Sequence, residues 1–567
     1  MGEKCWLTHY DAGVPHTLEP YPHRTLLDYI AETAQQRPEH PAMFFAGKRL
    51  TYGELARLSD VFAAALVDLG VKKGDRLALL LPNCPQFIIA EVGAWKVGAI
   101  VTPLSPLYSE RELAGLLKAW GAETLVVLTP WYTRIKRIQP HTALKRVIAT
   151  NIKEYLPPLQ RLLFTLLKER KEGHRVRLHA DDFRLSDLFK HYAQAPRPNT
   201  PAAPADAAVI LMSGGTTGPP KGALARHRSL VASGLQSHAW LQPVWEDGRD
   251  IIMLPVPLSH AYGFIGGQSV AFVGHNPLVL IPNPRDITGI IRTIAHVRPT
   301  FLIAVPTLFN ALLHHPDVRA GKVDLRCIKL CFSGAAPLPA DTKQQFEVLT
   351  GAHILEGYSL TEAMLASTCN PVQGRNKLGS VGMPLPDVEL RIVDVKSGEQ
   401  GLTPGEVGEI IMRAPQLMTC YWENATETAD ALRAHGAGGP WLHTGDLGYM
   451  DDDGYVFLVE RKKDLIKTSG YQVWPREVEE VIASHPAVAE VGVAGVPDPL
   501  KGEVVKAWVV LRPGMSALAD EIRRHCQAML APYKVPAQVE FRHELPKTMI
   551  GKVRRRMLIE DYTSQQG

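Results

Sequence analysis

A segment rich in glycine and hydroxyl side chains stands out in this chain of 567 residues. Residues 213–222 read Ser-Gly-Gly-Thr-Thr-Gly-Pro-Pro-Lys-Gly. Glycine lets backbone N–H groups approach an anion closely, hydroxyls add donors, and Lys221 adds a positive charge. The common nucleotide-binding loop has Ser or Thr directly after its lysine, whereas this chain has Gly222. The segment therefore predicts a loop that binds a polyphosphate in a different way, and a solvated turn is the alternative interpretation.

Composition and charge narrow the class of protein. A content of 46% hydrophobic and 21% charged residues is that of a globular protein, and the length suggests several compact units. The net charge of +4 gives no support for nucleic-acid binding. The 7 cysteines are scattered singly, which fits a reducing cytosol better than a disulfide framework. No apolar signal-peptide segment is visible near the N-terminus. We therefore expect a cytoplasmic protein without nucleic-acid partners.

Alternating apolar runs and helical patterns indicate the elements that position the loop. Residues 24–70 predict helix, short strand and helix, with Thr51 as the N-cap of the second helix. A second alternation covers 251–360, and 251–284 contains no Asp, Glu, Lys or Arg, so it is predicted to be sheet core or the wall of an apolar pocket. An α/β fold with largely parallel sheets is expected from this alternation and from the strand-like runs 77–81, 100–103 and 124–128.

Three further segments suggest how the chain is divided and where it meets its surroundings. The stretch 152–178 is basic, leucine-rich and amphipathic, a pattern typical of a membrane-surface helix or of an ordinary surface helix. Residues 451–454, Asp-Asp-Asp-Gly, predict a hairpin turn. The four consecutive charges at 461–464 predict a joint between an N-terminal domain, 1–460, and a C-terminal domain, 461–567.

Four more motifs follow the glycine-rich loop in order along the chain. They are Gly-Tyr-Ser-Leu-Thr-Glu at 357–362, Thr-Gly-Asp at 444–446, Arg-Lys-Lys-Asp-Leu-Ile-Lys-Thr-Ser-Gly at 461–470 and Pro-Lys-Thr-Met-Ile-Gly-Lys at 546–552. This set resembles the adenylate-forming enzymes, which include acyl-CoA synthetases, peptide-synthetase adenylation domains and luciferases. The resemblance covers about residues 24–560. A particular similarity to bacterial long-chain fatty-acid–CoA ligases rests on segments 283–287, 308–313 and 441–446.

The resemblance implies a fold and a reaction. The fold is a large N-terminal AMP-binding domain of two parallel-type sheets and a small β-barrel-like subdomain, followed by a small mobile α+β domain. The reaction joins a medium- to long-chain fatty acid to ATP, with Mg²⁺, to give acyl-AMP and pyrophosphate, and coenzyme A then takes the acyl group. This makes the chain an acid–thiol ligase. The resemblance also suggests a homodimer, and the stretch 152–178 suggests peripheral contact with the inner face of the membrane.

The resemblance further implies residue roles. Lys552 is expected to stabilise the charge that develops at the α-phosphate, although residues 551–556 alone are a basic tail typical of nucleic-acid or lipid contact. Thr361 is expected to donate to the α-phosphate, Glu362 to bind Mg²⁺, and His260 to lie near the acyl carboxylate, where a core histidine is the alternative. The residues expected to bind ATP are Ser213, Gly214, Gly215, Thr216, Thr217, Gly218, Lys221, Gly334, Ala335, Ala336, Pro337, Gly357, Tyr358, Ser359, Asp446 and Arg461, with Thr217 also on the metal.

The second half-reaction and the acyl site have their own expected residues. The small domain is expected to turn about Lys463 and to bring the face with Gly470 to the pantetheine path. Ser359 stands where the family usually has glycine, and Met212 where tyrosine or threonine is frequent. Both residues are expected to border the acyl site, so they affect the expected chain length and not the expected reaction.

Several other functions were weighed against this one. Amino-acid substrates are disfavoured, since a buried ammonium needs an acidic partner and 251–284 has none. An acyl- or aryl-acid AMP ligase of another branch, loading CoA or a carrier protein, stays open. A phosphate-releasing NTPase, or a non-enzymatic protein on a membrane surface, is the alternative of a different class. Formation of AMP and pyrophosphate distinguishes the expected ligase from an NTPase, which gives ADP and phosphate.

Overall fold

The computed structural model of the protein describes residues 4–198, 202–213, 221–336, 338–436, 438–468, 471–498, 501–547 and 553–566. Four β-sheets with helices packed around them account for the described chain. The first two sheets are largely parallel, and the third and fourth are largely antiparallel. This arrangement confirms the predicted α/β class with a large N-terminal part and a smaller C-terminal part.

The first sheet contains the strands on both sides of the glycine-rich loop. Six neighbouring strands are parallel, and two at one edge are antiparallel. Ser213 and Lys221 are directly paired across two of the strands, so the two ends of the loop segment lie side by side. In order across the sheet the strands are Cys420–Tyr421, Lys221–Arg226, Ala207–Ser213, Ile100–Pro103, Arg76–Leu80, Thr124–Leu128, Arg146–Thr150 and Phe183–Arg184.

The second sheet has nine strands and contains most of the charge-free segment. Its central strands are parallel, and antiparallel pairs complete both edges. In order they are Met383–Pro384, Thr368–Cys369, His353–Tyr358, Leu330–Ser333, Phe301–Ala304, Ile252–Leu254, Leu278–Leu280, Pro41–Phe45 and Lys48–Thr51. The single strand predicted within 24–70 is therefore a hairpin, turning at Ala46 and Gly47 with φ of 49° and 84°. Thr51 caps the following helix as predicted, because its Oγ1 accepts from the N–H of Glu54 at 3.1 Å.

The third and fourth sheets are separated by the charged run 461–464. The third is antiparallel, and the predicted hairpin at 451–454 joins two of its strands. Its strands are Glu389–Val393, Gly408–Arg413, Pro440–Met450 and Leu432–Ala434, with Val456–Arg461 also paired to the third of these. The fourth contains Tyr471–Val473, Ile466–Thr468, Gly502–Leu511 and Val488–Asp498, with Gln538–Phe541 parallel to the third of these.

The helices cover the faces of the sheets. Helix Pro85–Lys96 is buried at every position and packs its Phe87 ring on Phe264, which ties the first sheet to the charge-free segment. The other α-helices are Leu26–Gln36, Tyr52–Asp68, Glu110–Ala119, Thr129–Ile138, Pro158–Leu163, Leu185–His191, His227–Leu241, Gln268–Val273, Ile287–Val297, Pro306–His314, Pro316–Arg319, Ala340–Thr350, Ala425–Ala431, Pro475–Ala483, Ala519–Met529 and Arg555–Gln566.

Candidate active site

One cavity of about 1890 Å³ is lined by residues of the first three sheets and of the C-terminal part of the chain. Several strands end at its wall: Ser213 and Tyr358 are the last residues of two strands, and Gly334 directly follows a third. In open α/β sheets ligands bind beyond the carboxyl ends of the strands, and this cavity has that position. Its lining contains a polar set of side chains, here called the polar end, and an apolar set, here called the apolar end, and we describe the two sets in turn.

The polar end is organised around the carboxylate of Glu362. This residue is buried in a short 3-10 turn, Thr361–Ala363, that follows the motif strand. Its Oε1 accepts hydrogen bonds from the hydroxyls of Ser213 and Tyr421, the second at 2.6 Å. Burial and the Glu362 carboxylate raise the pKa of Tyr421, so its phenol stays a donor. Sequence reasoning missed Tyr421, because it lies outside every motif.

The donor set at Glu362 fits Mg²⁺. Carboxylate and hydroxyl oxygens are hard ligands, and Mg²⁺ is usually held by one or two carboxylates together with substrate phosphates. Within the described residues there is no cluster of three or more His, Cys, Asp or Glu side chains able to hold a metal. A buried carboxylate bonded to Ser213, the residue before the predicted polyphosphate loop, is suited to a metal that arrives with a nucleotide.

Lys221, at the start of its strand, brings a positive charge to this end. Its ammonium pairs with the Glu427 carboxylate and lies 5.2 Å from the centre of the Tyr421 ring. Both partners line the cavity. A bound polyphosphate would compete with Glu427 for the ammonium. Glu427 was also missed by sequence reasoning, because its pairing depends on the tertiary fold.

Hydrogen bonds connect three side chains of separate motifs at the polar end. The Tyr358 hydroxyl donates to Asp446 Oδ2 at 2.7 Å, and Arg461 Nε donates to Asp446 Oδ1 at 2.9 Å. Asp446 and Arg461 are directly paired across adjacent strands. Burial and the Asp446 carboxylate raise the pKa of Tyr358 well above its usual value. A Cβ on Gly357 would lie 2.8 Å from the carbonyl oxygen of Thr368, so the strand requires glycine there.

His260 lines the cavity and lies in the charge-free segment that supplies part of its apolar lining. Burial lowers the pKa of His260 from 6.5 to about 4, so the imidazole is neutral at pH 7, and its Nδ1 accepts from the N–H of Tyr262 at 3.2 Å. A π-helical turn, Tyr262–Gly267, follows. The charge-free segment serves as core and as pocket wall. Together with neighbouring elements it gives the cavity an apolar lining of Trp240, Leu241, Trp245, Ile252, Val270, Phe301 and Ile303.

Charged groups surround the predicted joint. Despite its burial, the neighbouring His443 and the hydrogen bond from Lys462 lower the pKa of Glu409 to about 2, and Lys462 Nζ lies 2.8 Å from its carboxylate. Lys463 lines the cavity, and burial together with Arg461 lowers its pKa. The joint therefore lies beside the polar end of the cavity.

The structure brings most of the predicted site residues together. Those lining the cavity are Ser213, Lys221, His260, Gly334, Ala335, Gly357, Tyr358, Ser359, Thr361, Glu362, Arg461 and Lys463, and Met212 lines it as well. Asp446 is bonded to two of them, and Ala336 follows Ala335 in the chain. Val553 and Arg554 line the cavity from the C-terminal part. Outside the described residues lie Gly214, Gly215, Thr216, Thr217, Gly218, Pro337, Gly470 and Lys552.

Comparison with known proteins identifies the class. The AMP-binding enzyme family matches residues 30–422, and the AMP-binding enzyme C-terminal domain matches residues 477–552. The chain therefore belongs to the AMP-binding enzymes, which confirms the resemblance to adenylate-forming enzymes. It uses ATP in the activation of an acid.

Individual relatives are similar over nearly their whole length. The long-chain-fatty-acid–CoA ligase of Bacillus subtilis (strain 168) is 37% identical, with 99% of each chain covered. That of Escherichia coli O157:H7 is 34% identical, covering 99% of this chain and 98% of the ligase. Among solved structures, ATP-bound MatB from Rhodopseudomonas palustris is similar with a TM-score of 0.81 and 27% identity, covering 96% of this chain and 100% of that one.

Proposed function

We propose that this protein is an AMP-forming fatty-acid–CoA ligase. One observation carries the proposal: a single cavity has both a polar lining, with Glu362 and with Tyr358 bonded to Asp446, and an apolar lining that includes Trp240 and Phe301. A carboxylic acid with an aliphatic tail fits this arrangement, because its head meets the nucleotide and its tail leaves water. The two ligases named above act on long-chain fatty acids, which supports the same substrate class here.

The residues have distinct tasks in the proposed first step. A carboxylate oxygen of the acid forms a bond to the α-phosphorus of ATP, and the bond between the α-phosphorus and the bridging oxygen breaks to release pyrophosphate. Lys221 would hold the departing phosphates, Asp446 the ribose hydroxyls, and Glu362 the Mg²⁺, which neutralises phosphate charge. His260 lines the cavity and is neutral, so it can contact the incoming carboxylate without a charge of its own. Lys552 would stabilise the charge that develops in this step.

The second step requires a change at the joint. The thiol of coenzyme A loses its proton to solvent and its sulfur forms a bond to the acyl carbon, while the bond from that carbon to the phosphate oxygen breaks and AMP leaves. We assign residues 1–460 to the N-terminal domain and 461–567 to a C-terminal domain that turns about Lys463 between the two steps. The cavity-lining Lys463, and the residues of both parts that border one cavity, support this assignment.

A product assay tests the proposal. Purified protein with ATP, Mg²⁺, coenzyme A and palmitate should form AMP, pyrophosphate and palmitoyl-CoA in equal amounts. Omitting coenzyme A should leave ATP–pyrophosphate exchange that depends on the acid. Release of ADP and phosphate, or exchange that needs no acid, would overturn the proposal.

We also propose that the leucine helix, Pro158–Leu163 with the following turn Phe164–Lys168, docks on the inner face of an anionic membrane. Its apolar side chains are 48–70% exposed: Leu159, Leu162, Leu163, Leu166 and Leu167. The exposed basic residues beside them, Arg161, Lys168, Arg170 and Lys171, complement anionic lipid, each contributing about 1 kcal/mol near such a surface. Phe164 is buried against the His174 ring and anchors the turn. Among the described residues no helix has the length and apolarity to span a bilayer.

Vesicle flotation tests the membrane contact. The wild-type protein should float with vesicles of phosphatidylcholine and phosphatidylglycerol, and L166S/L167S should not. Leu378→Ser, at a leucine that is 70% exposed elsewhere on the chain, is the matched control and should float like wild type. Equal flotation of both variants would contradict the proposal. A change in sedimentation of L166S/L167S without a change in flotation would place the homodimer interface there instead.

A further inference from the structure

The register of the second sheet shows in which direction the cavity extends. Phe301 is paired with Leu330, and three residues further along the same strands Ser333 is paired with Glu356. Tyr358 therefore lies five residue positions beyond Phe301 in the direction of these parallel strands. At about 3.3 Å per residue the two positions are about 16 Å apart. Since Phe301 and Tyr358 both line the cavity, it extends from the carboxyl ends of the strands to their amino ends.

The groups that we assign to the nucleotide and to the acid carboxylate lie at the carboxyl ends. Tyr358, which donates to Asp446, is the last residue of its strand. The Tyr262 hydroxyl donates at 3.2 Å to the carbonyl oxygen of Ala304, the last residue of another strand, and the N–H of Tyr262 donates to His260. An acid whose carboxylate is bound here must direct its tail toward the amino ends of the strands.

Trp245 closes the cavity at these amino ends. Its indole lines the cavity, is 8% exposed, and contacts the Phe301 ring with the ring centroids 4.9 Å apart. Phe301 and Ile252 are paired first residues of neighbouring strands, and both line the cavity. Gly274 also approaches the indole, because a Cβ added there would lie 2.8 Å from Trp245 Nε1.

Ion pairs lie one residue beyond these amino ends. Lys329 precedes the pairing partner of Phe301, and its Nζ lies 2.8 Å from the Glu246 carboxylate and 2.9 Å from that of Asp250. An alkyl chain that extended past Trp245 would displace water from these charges, which is unfavourable. The apolar lining therefore ends at the indole.

Hydrogen bonds hold the indole in one orientation. Trp245 Nε1 donates to Asp247 Oδ1 at 2.9 Å, and His238 Nε2 lies 2.6 Å from the same oxygen. The His238 ring also contacts the indole edge-on, with the ring centroids 5.8 Å apart. Asp247 does not line the cavity, so it acts on the cavity only through Trp245.

We propose that Trp245 is the floor of the acyl site and sets the longest acyl chain that the site can bury. Each methylene between the carboxylate and the floor leaves water and strengthens binding, whereas a methylene beyond the floor gains nothing. Asp247 is a positioning residue, because it fixes the indole. This inference rests on the proposed function and names the residue that limits the chain length of its substrates.

ATP–pyrophosphate exchange with saturated acids from octanoate to eicosanoate, in steps of two carbons, tests the floor. The wild-type kcat/KM should rise about fourfold for each added methylene, the factor for burying one methylene, and should stop rising at one limiting length. Trp245→Ala should leave kcat/KM for octanoate unchanged and move the limiting length up by at least one step. At the first step beyond the wild-type limit, kcat/KM of this variant should exceed that of wild type about 16-fold.

Further variants separate a floor from a packing role. Trp245→Phe keeps a ring against Phe301 and should move the limit less than Trp245→Ala, and it decides the test if Trp245→Ala does not fold. Asp247→Ala should blur the limit, whereas Asp247→Asn keeps an acceptor for the indole N–H and should behave like wild type. Trp6→Ala is the matched control, since this indole is 7% exposed and does not line the cavity, and it should keep the wild-type limit.

The outcomes also separate this inference from the proposed function. An unchanged limiting length in the folded Trp245 variants would overturn the floor. An equal loss of exchange with every acid in these variants, octanoate included, would do the same, because the indole would then serve packing alone. Absence of wild-type exchange with every acid would overturn the proposed function itself.

Discussion

The substitution Glu460→Gln probes the contact across the joint. Glu460 is the last acidic residue before the charged run, and its carboxylate is buried. It accepts from Arg555 Nη1 at 3.1 Å and from the backbone N–H of Arg476 at 2.8 Å, and both donors follow the joint. Arg555 also pairs with Asp464 and Glu479, which follow the joint themselves. If the C-terminal domain turns about Lys463, the contacts of Arg555 and Arg476 to Glu460 must break, together with the hydrogen bond from Arg476 Nη1 to the carbonyl oxygen of Leu458.

The magnitude follows from the change in hydrogen-bond strength. A hydrogen bond to a charged group contributes about 1.5–3 kcal/mol, and a neutral one about 0.5–1.5 kcal/mol. Replacing the carboxylate of Glu460 by an amide should therefore make the domain arrangement described here less stable by about 1.5 kcal/mol. This is about a tenfold shift in the balance between the two arrangements. Arg554, which is close to Lys552 in the chain, borders the cavity in this arrangement of the domains. We therefore expect this arrangement to be the one that forms acyl-AMP.

Two separate assays measure the effect. For Glu460→Gln, ATP–pyrophosphate exchange with palmitate should fall about tenfold, as worked out above. Thioester formation from supplied palmitoyl-AMP and coenzyme A should stay at the wild-type rate or rise. Glu480→Gln is the control, since Glu480 pairs with Arg476 at 2.9 Å without crossing the joint. Equal loss in both half-reactions, or the same loss in the control, would refute the reasoning.

Three further perturbations test the polar and apolar ends. Lys552→Ala should abolish exchange while thioester formation from supplied acyl-AMP survives, and equal loss of both would contradict its role. Tyr421→Phe removes a hydrogen-bond donor to Glu362. Loss of a hydrogen bond to a charged group costs about 1.5 kcal/mol, so the Mg²⁺ concentration that half-saturates the exchange reaction should rise about tenfold. His260 has a pKa of about 4 when folded and about 6.5 when unfolded, so the unfolded chain binds the proton first and stability falls as pH drops from 6.5 to 4. His260→Phe should show a smaller fall in apparent Tm over that range.

The polar end was predictable because its chemistry demands particular residue types in fixed order. Tyr358, Asp446 and Arg461 come from three separate motifs, and the structure joins them by two hydrogen bonds. Tyr421 and Glu427 were not predictable in this way. Tyr421 lies on a two-residue strand, and its neighbourhood exists only because that strand pairs with the strand after the glycine-rich loop. A contact made by strand pairing at long range leaves no local signal in the sequence.

Prediction of the strands also succeeded only where the signal is local in the sequence. The strands Ile100–Pro103 and Thr124–Leu128 were predicted with their observed bounds, since each is a short apolar run between helical patterns. The hairpin after residue 41 was predicted as one strand. Its turn places Ala46 and Gly47 at positive φ, and Ala-Gly is not the usual Asn-Gly or Asp-Gly signal for such a turn.

The charge-free segment is both core and pocket wall because its glycines face different ways. A Cβ on Gly263 would lie 2.3 Å from the carbonyl oxygen of Pro257, and one on Gly267 would lie 2.4 Å from Leu254 Cδ1. These two glycines let the π-helical turn approach the second sheet closely. Gly266, between them, contacts Leu365 instead, and both residues line the cavity. A side chain at 263 or 267 would therefore disturb the packing against the second sheet, whereas one at 266 would press on Leu365 at the cavity lining. The apolar composition of the segment suits both packing and cavity lining. Which role a glycine has depends on whether its Cα faces the second sheet or the cavity.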